Sequence, residues 1–327
     1  MTQTRAARHR LTVLATLLAA LLAALLTPGR ASAASLQEVT GFGSNPGALR
    51  MFRYVPDGLP AGRPVVVALH GCTQNASGYG TGSGWLQLAD RWGFSVVLPQ
   101  QTSANNLTSC FNWFQTGDIT RGQGETASVA QMVDRQLADV SGDTSRVYVT
   151  GLSAGGGMTS VMMAAYPEKF AGGGVVAGLP YGCAQAAGSP YVCMYAGATQ
   201  TAKQWGDRVR AARPGYPGPW PVLTVFQGGA DYTVNPVNMT DLMKQWTDVQ
   251  GADQTADVSD TVAGYPHKVF RNPAGTTVVE TYSITGMGHG QPVDPGTGTE
   301  QCGTAGAYIL DVDLCAAYRL GRAWGLG

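Results

Sequence analysis

Residues 146–158 read Arg-Val-Tyr-Val-Thr-Gly-Leu-Ser-Ala-Gly-Gly-Gly-Met. Residues 147–150 are β-branched and aromatic, the composition of a short buried strand. Gly151-Leu152-Ser153-Ala154-Gly155 follows without a break, and the next residues, Met158 to Met163, suit a helix. Gly-x-Ser-x-Gly between a strand and a helix is the pattern of a nucleophile elbow, a sharp turn that lifts a serine hydroxyl clear of the sheet. The glycines are needed where neighbouring backbone passes too close for a Cβ. A helix that begins at the serine also turns its N-terminal N–H groups toward the reacting atoms.

A serine placed this way needs a base within hydrogen-bond reach and an acid to orient that base. Beyond residue 33 the chain holds three histidines: His70, His267 and His289. His70 ends an apolar run far upstream of Ser153. His267 precedes a strand. His289 stands in Thr285-Gly286-Met287-Gly288-His289-Gly290, a glycine-flanked loop after the last expected strand, and is the expected base. The acid should follow a strand between Ser153 and His289. Asp231 does so, at the tip of Gly228-Gly229-Ala230 after the apolar run from Pro221. Asp207, Asp241 and Asp248 lie in helical or polar stretches and are expected to be solvated. The chain order Ser153, Asp231, His289 is that of the α/β-hydrolases. The oxyanion of an acyl-transfer intermediate needs two N–H donors: Ala154, after the nucleophile, and Cys72, in the His70-Gly71-Cys72 loop after the early strand.

The rest of the chain supports the same fold class. Leu36 to Val55 reads as a β-hairpin, and Val65 to Leu69 as a continuous apolar, buried strand. Trp85 to Trp92 reads as a short helix and Phe94 to Leu98 as the next strand. Thr102 to Gln123 is a polar loop with aromatic residues, long enough to have a function. Glu125 to Val140 is an amphipathic helix, with Val129, Met132, Val133, Leu137 and Val140 at three- and four-residue steps. Gly174 to Ala177, Pro221 to Phe226 and Thr277 to Ser283 read as strands, and Asn235 to Val249 and Ala307 to Trp324 as helices. Strand and helix alternate throughout, so the expectation is an α/β fold with a mostly parallel sheet, helices on both faces and a single domain over residues 34–327.

Composition narrows the function. Of 327 residues, 21 are Lys or Arg and 21 are Asp or Glu, so no net charge steers the chain to nucleic acid or an anionic membrane. Arg5, Arg8 and Arg10 precede the Ala/Leu-rich run 11–26, and Ala31-Ser32-Ala33 follows a Thr-Pro-Gly break. This is the pattern of a signal peptide over residues 1–33 that is removed on secretion. No other apolar run is long enough to span a bilayer. Six cysteines in an exported chain suggest disulfides, and sequential pairing is the simplest: Cys72–Cys110, Cys183–Cys193 and Cys302–Cys315. The first pair would also stiffen the Cys72 donor loop. No Cys-x-x-Cys or His-x-x-x-His spacing points to a metal, and no cofactor is expected.

Together these residues resemble the secreted esterases of the polyhydroxybutyrate depolymerase family, relatives of the feruloyl and acetylxylan esterases. The resemblance is carried by Leu69-His70-Gly71-Cys72-Thr73-Gln74, Cys110-Phe111-Asn112-Trp113-Phe114, the elbow, Ala177-Gly178-Leu179-Pro180-Tyr181-Gly182-Cys183-Ala184, Gly286-Met287-Gly288-His289 and Cys315-Ala316-Ala317-Tyr318. It implies a secreted carboxylic ester hydrolase with Ser153, Asp231 and His289 as its triad. Its substrate would be an oligomeric or polymeric ester, short-chain hydroxyalkanoate esters before acetyl or feruloyl esters of plant polysaccharide. The family commonly has His-Gly before the acid, where this chain has Gln227-Gly228, and no linker or polymer-binding module is read before Gly327. Trp113 and Tyr181 are the expected substrate-stacking aromatics. Trp85, Trp92, Trp205 and Trp220 are expected in the core. The oligomeric state is left open.

Overall fold

The structure, a computed structural model, describes residues 34–327. The expected signal peptide lies outside the described residues. Ser35–Gly327 forms one compact unit. The strands are β1 Gln37–Val39, β2 Arg50–Tyr54, β3 Val65–Leu69, β4 Ser95–Gln100, β5 Val147–Leu152, β6 Gly172–Val176, β7 Val222–Gly228, β8 Val258–Val262, β9 Tyr265–Arg271, β10 Thr277–Ile284, β11 Gln291–Val293 and β12 Ile309–Asp311. The helices are α1 Ala76–Gly82, α2 Trp85–Trp92, α3 Thr116–Ile119, α4 Gly124–Val140, α5 Ala154–Ala165, α6 Cys183–Ala187, α7 Pro190–Ala196, α8 Ala202–Ala212, α9 Val237–Gln250 and α10 Ala316–Ala323.

Ten strands form one sheet in the order β1-β2-β4-β3-β5-β6-β7-β10-β9-β8. The six central strands, β4 to β10 in that order, run parallel, and an antiparallel pair completes each edge. Parallel strands with both faces covered need apolar side chains on both faces. Accordingly β3, β5 and β6 are buried at every position. Helix α5, buried along all twelve residues, crosses directly from the centre of this sheet, as a helix apolar on all sides must. α4 buries Val129, Met132 and Val133 as its spacing predicts, while Leu137 and Val140 stay half-buried.

Two expectations about elements change. Residues 307–324 do not form one helix: Tyr308 and Asp313 take φ of +59° and +55°, outside the right-handed helical region. The stretch 309–311 instead pairs parallel with 291–293, and α10 begins only after the Cys302–Cys315 disulfide. The β8–β9 hairpin was not anticipated; His267 lies within β9 rather than before a strand. Trp85 and Trp205 are fully buried as expected, whereas Trp92 and Trp220 are only half-buried.

Candidate active site

Ser153 sits between β5 and α5 with φ +58° and ψ −116°, a conformation that non-glycine residues rarely adopt. Its own N–H donates to the Val176 carbonyl of the next strand at 2.9 Å, and its carbonyl accepts from Gly157 N at 2.8 Å. These bonds hold the strained residue in place. A Cβ at Gly155 would collide with the Leu69 and His70 carbonyls, and one at Gly151 with the Gly155 carbonyl. The elbow can form only because the backbone after β3 passes against bare glycine. Ser153 is 9% exposed and lines a cavity.

The turn after β7 brings in Asp231, the expected acid. Gly229 N and Ala230 N donate to the Ile284 and Met287 carbonyls at 2.8 and 2.9 Å, joining this turn to the loop that carries His289. A side chain at Gly228 would strike the Met287 and Gly288 carbonyls, so the two loops approach only over a glycine. Asp231 is buried, and all four of its near partners are donors. Thr233 N and Val234 N each reach Oδ1 at 2.8 Å, Gln227 Nε2 reaches Oδ2 at 3.0 Å, and His289 Nδ1 reaches Oδ2 at 2.8 Å. Such a shell fits an acceptor-only carboxylate. It places the imidazole proton on Nδ1 and leaves Nε2 of His289 free as an acceptor. Ser153 and His289 border the same cavity, of about 160 Å³.

Cys72 borders that cavity and a larger one, of about 380 Å³, that Ser153 also lines; Ala154 borders the larger. As the first residue of α5, Ala154 has an N–H with no partner inside the helix. The Cys72 N–H makes no backbone hydrogen bond among the described residues, while its neighbours are held on both sides. Gly71 N donates to Gln74 Oε1 at 2.9 Å, and Thr73 N to the Thr108 carbonyl at 2.7 Å. The disulfides join Cys72 to Cys110, Cys183 to Cys193 and Cys302 to Cys315.

Beneath this loop lies a buried polar network. His70 is fully buried; its Nδ1 donates to the Gly71 carbonyl at 2.7 Å, and its Nε2 accepts from Gln101 N at 3.1 Å. Burial pushes the imidazole pKa down to about 4, against the Gly71 bond, so the ring is neutral. Gln101 Nε2 also donates to Glu125 Oε1 at 2.5 Å and to the Cys110 carbonyl at 3.1 Å, and Asn112 N donates to Glu125 Oε2 at 2.8 Å. Burial pushes the Glu125 carboxyl up to about 8, against the Asn112 N–H. The network ties the Cys72 loop to the Cys110–Asn112 segment. Nothing in the chain order of His70, Gln101 and Glu125 announces it.

Trp113 is nearly buried and lines the larger cavity; its ring lies against Gly157, one turn into α5. Tyr181, the other expected substrate-stacking aromatic, borders neither of these two cavities. Gln245 holds the Tyr181 backbone, accepting from its N–H at 2.9 Å and donating to its carbonyl at 3.0 Å. The aromatic and apolar places are taken instead by Phe114, Leu179, Tyr191 and Met194 in the larger cavity and Tyr308 in the smaller. Helix α7, which carries Tyr191 and Met194, is pinned by the Cys183–Cys193 disulfide and by Asn238 Nδ2, which donates to the Cys193 carbonyl at 3.1 Å. Through Gln74 the smaller cavity adjoins a groove of about 510 Å³ lined by Asn75, Ser77 and Thr304 together with Ala305, Ala307 and Ile309. Asp241, expected to be solvated, is buried beside Ala198 N and Lys244, and burial raises its pKa. Asp207 and Asp248 pair with Arg210. Among the described residues, Asp294, Asp311 and Asp313 form a carboxylate group away from this site.

Residues 49–262 match the family model described as Esterase PHB depolymerase. The chain belongs to that family. It is 53% identical over 324 residues to poly(3-hydroxyalkanoate) depolymerase C of Paucimonas lemoignei, covering 99% of this chain and 78% of that one. It is 37% identical over 269 residues to feruloyl esterase B of Thermothelomyces thermophilus, covering 80% and 90% of the two chains. A probable acetylxylan esterase A of Aspergillus fumigatus is 36% identical over 81% of this chain and 72% of its own. Among solved structures, the acetyl xylan esterase from Aspergillus awamori superposes with a TM-score of 0.75 at 28% identity, covering 90% of this chain and all of that one. The fold is therefore that of the α/β-hydrolase esterases.

Proposed function

We propose that this family member is an extracellular serine esterase that cleaves short-chain hydroxyalkanoate esters through an acyl-enzyme. The observation that carries the reading is the bond from His289 Nδ1 to Asp231 Oδ2, with His289 and the strained Ser153 on one cavity. Ser153 Oγ attacks the ester carbonyl carbon while its proton passes to His289 Nε2. The carbonyl π-electrons move to oxygen, and that oxyanion takes the Cys72 and Ala154 N–H bonds. Collapse breaks the carbon–alkoxy bond, and His289 returns the proton to the departing alcohol. Water repeats the sequence on the acyl-enzyme and frees the acid and Ser153. Asp231 keeps the imidazole tautomer and supports the imidazolium.

The leaving oxygen must meet His289, so the alcohol part occupies the smaller cavity and can extend along the groove shared through Gln74. The acyl part then occupies the larger cavity, against Trp113, Leu179 and Met194. The 53% identity to a poly(3-hydroxyalkanoate) depolymerase supports hydroxyalkanoate esters; the relatives near 36% identity keep acetyl and feruloyl esters as the second reading. Export agrees with three disulfides, which persist in oxidising surroundings. No helix among the described residues is long and apolar enough to cross a membrane. A panel of hydroxybutyrate oligomers, acetylated xylan and methyl ferulate, assayed with the protein over residues 34–327, tests the reading. Highest kcat/KM on the oligomers supports it; preference for either plant ester overturns it.

A further inference from the structure

Tyr308 stands in a backbone conformation that its side chain resists. Gly306 N donates to the Ile309 carbonyl at 2.9 Å, and Ile309 N donates to the Gly306 carbonyl at 3.0 Å, closing a turn over Ala307 and Tyr308. Of these two, only Tyr308 has positive φ, at +59°. That is the type II pattern, whose third position favours Gly or Asn. The other described non-glycine residues with positive φ are Asn, Ala, Thr, Ser or Asp. A bulky ring is the costly case. The fold gains little from this ring in return. The turn is held by backbone bonds and by Gln74, and Tyr308 is 50% exposed. Strain kept without a packing return marks a functional position.

The place of the ring supplies the reason. Tyr308 is the one aromatic residue besides His289 that lines the smaller cavity. Its ring and the imidazole meet in a T, with centroids 6.2 Å apart and planes at 71°. Two anchors set the turn against the loops of the site. The Tyr308 carbonyl accepts from Gln291 N at 2.9 Å, two residues after His289. Gln74 Oε1 accepts from Gly71 N at 2.9 Å while its Nε2 donates to the Ala307 carbonyl at 3.3 Å, so the Cys72 loop and the turn share one side chain. We propose that Tyr308 is a specificity-determining residue for the alcohol half of the ester. Its ring packs on an alcohol that carries its own carbon chain, as the second unit of a hydroxyalkanoate oligomer does, and gains little from methanol. The proposal rests on the esterase reading above, which sets the leaving oxygen at His289, and adds the residue that recognises the departing alcohol.

Two esters with one acyl group isolate the alcohol. Methyl 3-hydroxybutyrate and the linear 3-hydroxybutyrate dimer form the same acyl-enzyme and differ only in what leaves. Tyr308→Gly removes both ring and strain, whereas Tyr308→Ala removes the ring and keeps the strain. Both variants should lower the ratio of kcat/KM on the dimer to kcat/KM on the methyl ester roughly tenfold. Tyr308→Phe keeps the ring and should hold that ratio within about threefold of wild type. The melting temperature reads the strain separately: Tyr308→Gly should melt above Tyr308→Ala, the reverse of the usual order for these two residues. An unchanged ratio in the Gly and Ala variants would overturn the proposal. So would an equal loss on both esters, which would mean that the ring acts through His289, and so would Tyr308→Gly melting below Tyr308→Ala. A wild type that hydrolyses neither ester would overturn the esterase reading, and the proposal with it.

Discussion

His70 Nε2 accepts a hydrogen bond from the backbone N–H of Gln101 at 3.1 Å, joining the residues that immediately follow two neighbouring parallel strands. The bond requires a neutral ring, because the other ring nitrogen already donates to Gly71. Below it the chain turns into Cys72, the proposed oxyanion donor. His70, fully buried and lining neither cavity, therefore acts on the Cys72 loop through the backbone.

The first prediction concerns acid stability. His70 has a folded pKa of about 4, below the usual 6.5, so the unfolded chain takes up the proton first as pH falls. Its contribution is complete above pH 6.5 and is lost as pH drops through the folded value. Between pH 7 and 4 the wild type should lose about 3 kcal/mol more than His70→Asn, measured by urea unfolding. Parallel pH curves for the two proteins would exclude the assignment.

Removing the brace of the donor loop should cost both stability and rate. The Cys72–Cys110 bond spans 38 residues, worth about 4 kcal/mol in the chain-entropy model. The Cys72→Ala/Cys110→Ala double variant keeps the residue-72 N–H but frees its loop. The expected result is a lower melting temperature together with reduced kcat at temperatures where the protein is fully folded. A kcat equal to wild type would mean that the network through Gln101 and Glu125 alone holds the loop.

Much of this arrangement was legible from local signals. The elbow spans thirteen residues, so strand, turn and helix could be read together, and Asp231 and His289 follow from their place after strands. Beyond Trp113 and the expected triad and oxyanion residues, the side chains that line the cavities were not legible, because remote contacts place them. Tyr308 reaches the mouth because its carbonyl accepts from Gln291 N, and Met194 because α7 is tied to Cys183 and Asn238. Tyr181 follows a strand, as a site residue would, and its backbone is held by Gln245, a contact far along the chain that no local pattern reveals. The helical pattern of residues 307–324 held only beyond Cys315, because pairing with 291–293 takes the first part.

Gln227 Nε2 donates both to Asp231 Oδ2 and to the Val234 carbonyl, each at 3.0 Å. Gln227→Leu leaves the second lone pair of Oδ2 and the Val234 carbonyl without this donor. A buried bond to a carboxylate is worth about 1.5–3 kcal/mol, so kcat should fall roughly ten- to a hundredfold with KM little changed. Gln227→His should restore part of the loss. An unaffected kcat in Gln227→Leu would show that the two backbone donors suffice.

Asp231→Asn tests the acid directly. The amide cannot support the imidazolium, and it can hold the ring in the wrong tautomer, so kcat should drop on the order of a thousandfold or more in a protein that still folds. Circular dichroism and a kcat comparison decide it. A variant within tenfold of wild type would place the acid elsewhere.

The central claim is that Ser153 is the nucleophile, and active-site labelling tests it most directly. Protein treated with a fluorophosphonate is digested and its peptides are sequenced by mass spectrometry. A single adduct on Ser153, abolished in Ser153→Ala along with ester hydrolysis, is the result predicted. Stoichiometric label on another residue, or hydrolysis that persists in Ser153→Ala, would contradict it.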